Sequence, residues 1–292
     1  MKSQHAYPLA YSFEFFPPKT DKGADSLRAV SGKLAKLNPC FFSVTFGAGG
    51  STREHTLDTV VMLKAHTGID VAPHLSCIGS TKASIREILK TYMDQGIHHL
   101  VALRGDMPSG MHSPGEFQYA NELVEFIRSE TGSHFFIEVA AYPEIHPQAR
   151  SPQHDLQNFQ RKVKAGADSA LTQYFYNADA YLRFVDDCEK LGVELPIVPG
   201  IMPITNYTQL ARFSDICGAE IPRWIRMRLQ SYGDDVASIK AFGEEVVSNM
   251  CRKLLEAGAP GLHFYSMNQT EATLAIWNNL GLSSDKAARS RR

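Results

Sequence analysis

Glu14 stands among Phe13, Phe15, Phe16 and the Pro17-Pro18 pair, and a carboxylate in such apolar company is a candidate proton donor. Burial disfavours the charged form, raises the pKa and keeps part of the acid protonated near neutrality, which suits general acid catalysis. The competing reading is a buried structural ion pair with Arg104 as partner. Other polar residues recur where apolar runs end. Thr45 precedes Gly47-Ala48-Gly49-Gly50, whose glycines would let backbone N–H groups approach a ligand, and Ser51-x-x-Glu54 has the pattern of a helix capping box. His74 closes one run, as a ligand contact or a hydrogen-bonded core histidine, and Arg104-Gly105-Asp106 closes the next, as a ligand site or an ordinary salt bridge. The loop Tyr142-Pro143-Glu144-Ile145-His146-Pro147 leads to Asp155, Asn158, Arg161 and Lys162. The last three share a helical face that suits a phosphate, a ribityl chain or plain solvent. Thr172 and Gln173 carry polar groups that must find partners if buried, and a ligand is one such partner.

Side chains of this kind need a scaffold that gathers them. Eight short apolar runs, YSFEFF, FFSVTF, VAPHLSC, HLVALRG, HFFIEVAAY, SALTQYFY, PIVPGIM and GLHFYSM, alternate with longer amphipathic segments such as residues 25–36, 53–66, 83–94, 116–129 and 179–190. Strand–helix alternation implies a parallel sheet, and eight repeats favour closure into a (β/α)8 TIM barrel over an open doubly wound sheet. Such barrels place their chemistry where strands end, which is where these polar residues fall. Alternation within the first strand puts Ser12, Glu14 and Phe16 on one face, opposite Phe13 and Phe15. Residues 206–258 are too long for one helix. They read as a helix from Tyr207, an inserted turn at 222–229 and a long helix from Asp235, an elaboration before the last strand. The sequence thus predicts one catalytic barrel over residues 1–282 and a polar, frayed tail over 283–292.

Composition narrows the function classes. With 43% hydrophobic and 21% charged residues the chain has the make-up of a globular protein with a substantial core. The net charge of −1 gives no field to draw nucleic acid or anionic lipid, so a small-molecule partner is expected. Five widely spaced cysteines without a C-x-x-C pair suggest reduced thiols in a cytoplasmic protein. The opening MKSQHAYPLAY lacks the apolar stretch of a signal peptide, and no segment reaches the length that spans a bilayer. No dinucleotide fingerprint appears, and FGAGGST lacks the lysine of a P-loop.

Taken together, FEFFPPK, SVTFGAGGSTREHT, PHLSCIG, LVALRGD, AAYPEIHPQA, LTQYFY, PGIMPITNY and HFYSMN make the chain resemble the methylenetetrahydrofolate reductase family in its short bacterial form, nearly end to end. The resemblance implies a barrel that binds FAD, takes hydride from NADH or NADPH, with NADH the expected donor, and passes it to 5,10-methylenetetrahydrofolate. It implies that Glu14 protonates the folate nitrogen as the methylene bridge opens, and that Asp106 lies beside the flavin N1 and C2 carbonyl, tunes its potential and contacts the pterin. Thr45, Ala48, His74, Arg104, Gly105, Asp106, Ala120, Tyr142, His146, Ala149, Asp155, Asn158, Arg161 and Lys162 match positions that line FAD. Substrate contacts are implied for Glu14, Thr45, Asp106, Gln173, Gln209, Phe213 and Gln269. Where relatives often carry Arg this chain has Gln269, so a charged contact to the folate tail is missing there. Relatives form homo-oligomers, often homotetramers. The implied regulatory adenosylmethionine domain of longer forms is absent from this sequence, so no such inhibition is expected.

Two other readings compete. A metal-dependent barrel hydrolase would use Glu14, His74, His146 and His263 as ligands, but the first strand lacks the H-x-H such barrels commonly present; no metal is expected. A barrel that binds flavin or folate without turnover would be expected to have lost its acid, and Glu14 is present.

Overall fold

The computed structural model describes residues 1–46, 51–106 and 115–282, the side chains of 51–54 excepted. The glycine run with Ala48, the Ser51/Glu54 capping pair and the tail 283–292 therefore lie outside what is described. Among the described residues nine strands form one parallel sheet: β1 (Ala10–Phe15), β2 (Phe41–Val44), β3 (Val71–Ser76), β4 (His99–Leu103), β5 (Phe136–Ala141), β6 (Ser169–Thr172), β7 (Ile197–Val198), β8 (Gly200–Ile201) and β9 (Gly261–Tyr265). Their order, β7-β6-β5-β4-β3-β2-β1-β9-β8, makes eight staves rather than nine. The run PIVPGIM, read as one strand, is split at Pro199, which has no N–H to give a ladder. Its first half pairs with β6 and its second with β9, so this broken stave closes the barrel.

Helices α1 (Asp21–Ala35), α2 (Ser51–Thr67), α3 (Lys82–Asp94), α4 (Ala120–Thr131), α5 (Pro152–Lys164) and α6 (Ala178–Lys190) follow the first six strands. Helix α4 starts later than its amphipathic pattern suggests. Tyr119 is extended, and the Glu122 carboxylate accepts from the Gln118 N–H at 2.7 Å, fixing the start at Ala120. After β8 come α7 (Tyr207–Cys217), α8 (Arg223–Ser231) and α9 (Val236–Glu256), with α10 (Glu271–Asn279) after β9. The stretch expected as a turn around Pro222 is thus mostly helical: Ile225 and Leu229, four apart, are buried and give α8 a face to dock.

Alternation along the strands sorts the side chains. Phe13, Phe15, Phe42 and Phe264 point outward into the main core beneath the helices, where Phe13 and Phe264 stack at 5.6 Å. The lumen is floored by a smaller cluster, Phe41, Ala72, Val101, Leu171 and Val198. Polar side chains are buried beside it, among them Ser12, Ser43, His99, Glu138 and His263. His99 Nε2 meets Glu138 Oε1 at 3.3 Å at the lower end, and the Phe41 ring lies 4.2 Å from His99 and 6.1 Å from His263. Phe41 therefore sits between that lower pair and the upper end of the barrel.

Candidate active site

The upper end, where the strands finish, opens into a cavity of about 260 Å³ lined by residues that include Glu14, His74, Leu103, Ala140, Tyr142, Gln173, Tyr174, Met202 and Tyr265. Each comes from the end of a strand or the residues just after it, so parallel pairing assembles the site. The register of β1 with β9 sets Ser12 beside His263 and Glu14 beside Tyr265.

Glu14 is the centre. It is 8% exposed, and its Oε2 lies 3.2 Å from His74 Nε2 and 3.6 Å from His263 Nε2. The first contact is not aligned as a hydrogen bond and the second is too long for one, so both Nε2 atoms lack a hydrogen-bond partner among the described residues. Behind them, His263 Nδ1 is 2.7 Å from the Ser12 hydroxyl. Burial alone would push the Glu14 carboxyl up, as expected from its apolar sequence neighbours, but the imidazoles of His263 and His74 outweigh it and hold the carboxyl down to about 2. The expectation of a raised pKa is therefore corrected: phenylalanine neighbours in sequence point away into the core, and histidines from distant strands set the field. The Arg104 partnership is corrected as well. That guanidinium donates to Gly105 O at 3.0 Å and to Gln148 Oε1 at 2.5 Å, away from Glu14.

A carboxyl held low in the fold contributes stability that is present above its unfolded pKa and lost as pH falls through the folded value. The gap in melting temperature between the wild type and Glu14→Gln should therefore narrow as pH falls from about 4.5 towards 2. A gap that widens on acidification would contradict the imidazole field.

Around this centre the other sequence-predicted residues fall into two groups. His74, Tyr142 and Gln173 line the cavity with Glu14. Gln173 Oε1 accepts from the Tyr174 N–H at 3.0 Å, leaving its amide NH₂ as the donor on this wall. Thr172 needs no ligand, because its hydroxyl accepts from the Gly200 N–H at 2.9 Å. Gly105 follows β4 at φ 82°, and a Cβ there would meet Ser76 Oγ at 1.9 Å. Asp106 is exposed and its charge, after burial, helps push the Tyr142 hydroxyl up to about 12. The Thr45 N–H donates to Phe15 O at 3.0 Å, which ties the end of β2 to the end of β1.

The second group flanks the cavity on the loop after β5 and on α5. Tyr142 and His146 meet edge to face at 4.6 Å, and Asp155 accepts from the His146 N–H at 2.8 Å. The Ala149 N–H donates to His146 O at 2.8 Å, completing a turn. Asn158 Oδ1 accepts from Arg161 at 2.9 Å, while Lys162, half-buried, donates to Ala140 O on the cavity wall. Burial lowers the Lys162 ammonium to about 8 despite Asp155. Ala120, the first residue of α4, is half-buried, and Gln209 and Gln269 are exposed. Gln209, half-buried Phe213 and Gln269 are not among the residues lining the cavity. The four-ligand metal reading is not assembled either: His146 Nδ1 accepts from the Gln148 N–H, and among the described residues no group of three His, Cys, Asp or Glu is arranged to hold a metal ion.

Sequence reading missed Tyr174 and Tyr265, and considered His263 only as a metal ligand. Period-two spacing in HFY was the available signal, since it puts His263 and Tyr265 on one face, as Ser12 and Glu14 are in strand one.

A buried carboxylate with two imidazoles at the mouth of a closed parallel barrel is the arrangement of a barrel enzyme. The sequence profile of the methylenetetrahydrofolate reductase family matches residues 2–281. The chain is 41% identical over 271 residues to the 5,10-methylenetetrahydrofolate reductase of Escherichia coli strain K12, covering 93% of this chain and 90% of that one. It is 39% identical to methylenetetrahydrofolate reductase (NADH) 1 of Arabidopsis thaliana, over 94% of this chain and 48% of that protein. Among solved structures, an uncharacterized Clostridium thermocellum protein that binds two copies of 5-methyl-5,6,7,8-tetrahydrofolic acid shares the fold, with a TM-score of 0.65 at 15% identity over 99% of this chain and 98% of that one. The chain belongs to the methylenetetrahydrofolate reductase family.

Proposed function

We propose that this protein reduces 5,10-methylenetetrahydrofolate to 5-methyltetrahydrofolate with electrons from NADH, or alternatively NADPH, by a ping-pong reaction through bound FAD. The product would serve methionine synthesis. The observation that carries this reading is the Glu14–His74 pair lining the strand-end cavity, backed by buried His263, in a chain from this family. On the same reading the enzyme is cytoplasmic and a homo-oligomer, in the form of a homotetramer. No helix among the described residues is long and apolar enough to cross a membrane.

The residues present fit a flavin. The buried imidazole of His74, whose Nε2 has no hydrogen-bond partner among the described residues, lines the cavity. On the loop after β4 and on α5 stand the cations Arg104, Arg161 and Lys162, which suit a pyrophosphate, and Asp155, which suits a ribose hydroxyl. Thr45, Ala48, Gly105, Asp106, Ala120, Tyr142, His146, Ala149 and Asn158 would complete the holding set. When bound, FAD supplies the two-electron hydride chemistry that no side chain here can perform.

The chain's own residues manage the proton. On this reading Glu14 gives a folate nitrogen its proton, with His74 and His263 Nε2 within 3.6 Å of its Oε2 to pass one on. Transfer then runs from a Nε2 through Glu14 Oε2 to the substrate nitrogen, and Ser12 holds the far side of His263. Gln173 presents an amide to the incoming ring. Phe213 and Gln209 on α7, with Asp106 and Gln269, would complete the substrate contacts.

The test is an anaerobic absorbance experiment. Flavin bands that bleach with NADH and return with 5,10-methylenetetrahydrofolate support the assignment, and protein that binds no added FAD refutes it. A second expectation concerns Lys162, which loses its proton above about pH 8. FAD affinity should fall between pH 7 and 9 and Lys162→Met should flatten that dependence; a variant as pH-sensitive as the wild type would remove Lys162 from the phosphate site.

A further inference from the structure

Tyr174 follows Gln173 directly, and its ring lines the cavity, but its hydroxyl turns away from it. The residue is 4% exposed and the hydroxyl lies 3.1 Å from Ser214 Oγ, while the Cys217 thiol donates to it at 3.4 Å. Ser214 and Cys217 are one turn apart on α7, and Ser214 is the neighbour of Phe213. The same end of α7 is held twice more. Its cap Gly218, in the left-handed region at φ 74°, packs so closely that an added Cβ would come 2.8 Å from Pro147 Cγ, and Glu144 accepts from the Glu220 N–H at 2.7 Å. No comparable side-chain tie beyond its own Asn206 cap is seen at the exposed, Gln209-bearing start of α7 among the described residues.

We infer that the Tyr174 hydroxyl is a positioning group that fixes α7 against the cavity wall, so that, on the proposed reading, the helix bearing Phe213 and Gln209 stays beside whichever ring occupies the cavity. One buried hydroxyl, shared by two side chains of a single helix, sets the distance between that helix and Gln173. The neighbouring link is covalent, because Gln173 and Tyr174 are consecutive and the Tyr174 N–H holds the Gln173 carboxamide. Both substrates therefore depend on the same tie, and losing it loosens their binding more than it slows the chemistry.

The kinetic part rests on the reductase reading, so two independent measurements are needed. Tyr174→Phe keeps the ring and removes only the hydroxyl. Hydrogen exchange in the FAD-loaded protein should accelerate over residues 211–218 and stay unchanged in α9, whereas general destabilisation would speed both. KM for NADH and for 5,10-methylenetetrahydrofolate should each rise roughly 3- to 10-fold, the scale of one hydrogen bond, with smaller changes in kcat. Ser214→Ala should reproduce the effect, and the double variant should add little to either single one. Unchanged exchange over 211–218, or fast exchange with both KM values unmoved, overturns the inference. Wild-type protein that fails the flavin bleaching cycle would overturn the reductase reading instead, and exchange alone would then judge the tie.

Discussion

Glu14→Gln is expected to bind FAD and be reduced by NADH at near the wild-type rate, yet reduce the folate about 10²- to 10⁴-fold more slowly, the range over which a positioned acid acts. Glutamine fills the same space, so the cavity should survive. What disappears is the carboxylate that lies within 3.6 Å of both His74 and His263 and can relay a proton between them and the substrate. Stopped-flow absorbance separates the half-reactions. An equal loss in both would make Glu14 a structural member of the cluster, and a full-rate folate half-reaction would remove it from the proton path.

The second large effect is at Gly200. An added Cβ there would stand 2.1 Å from Thr172 O and 2.7 Å from the Tyr265 ring. Both obstacles are fixed: Thr172 O accepts from the Tyr265 hydroxyl at 2.7 Å, and the Gly200 N–H donates to the Thr172 hydroxyl. Gly200→Ala must push β8 away from β6 or expel Tyr265 from the cavity wall. Overpacking and lost hydrogen bonds together cost about 3–5 kcal/mol, which lowers the melting temperature by roughly 10 °C. Calorimetry with flavin titration checks both parts. A variant with wild-type melting and FAD affinity would show that the broken stave yields easily.

The two predictions differ in how far sequence alone could reach them. Glu14 was legible, because a lone carboxylate between phenylalanines and a double proline is conspicuous whatever surrounds it. Its chemistry was not. The sign of its pKa shift depends on His263, which is 249 positions later and reaches Glu14 only when β9 pairs with β1. Local pattern carries strand identity and inward-facing parity; it does not carry which strand closes the ring. The strand runs were readable because each is short, apolar and flanked by breakers, whereas the split at Pro199 was hidden, since a proline within an apolar run does not say which neighbours each half will find. Helix α8 was misjudged for the opposite reason: three arginines in nine residues mask the Ile225/Leu229 face that docks it. Tyr174 went unnoticed because a tyrosine beside other aromatics signals core, and only its hydroxyl's partners on α7 mark it out.

Phe41 and the apolar floor around it have one more consequence. They separate the lower His99–Glu138 pair from the upper cluster, so the strand-end cavity has an apolar floor. On the proposed chemistry, reductant and folate would both meet that floor from the strand-end side, which suits binding in turn.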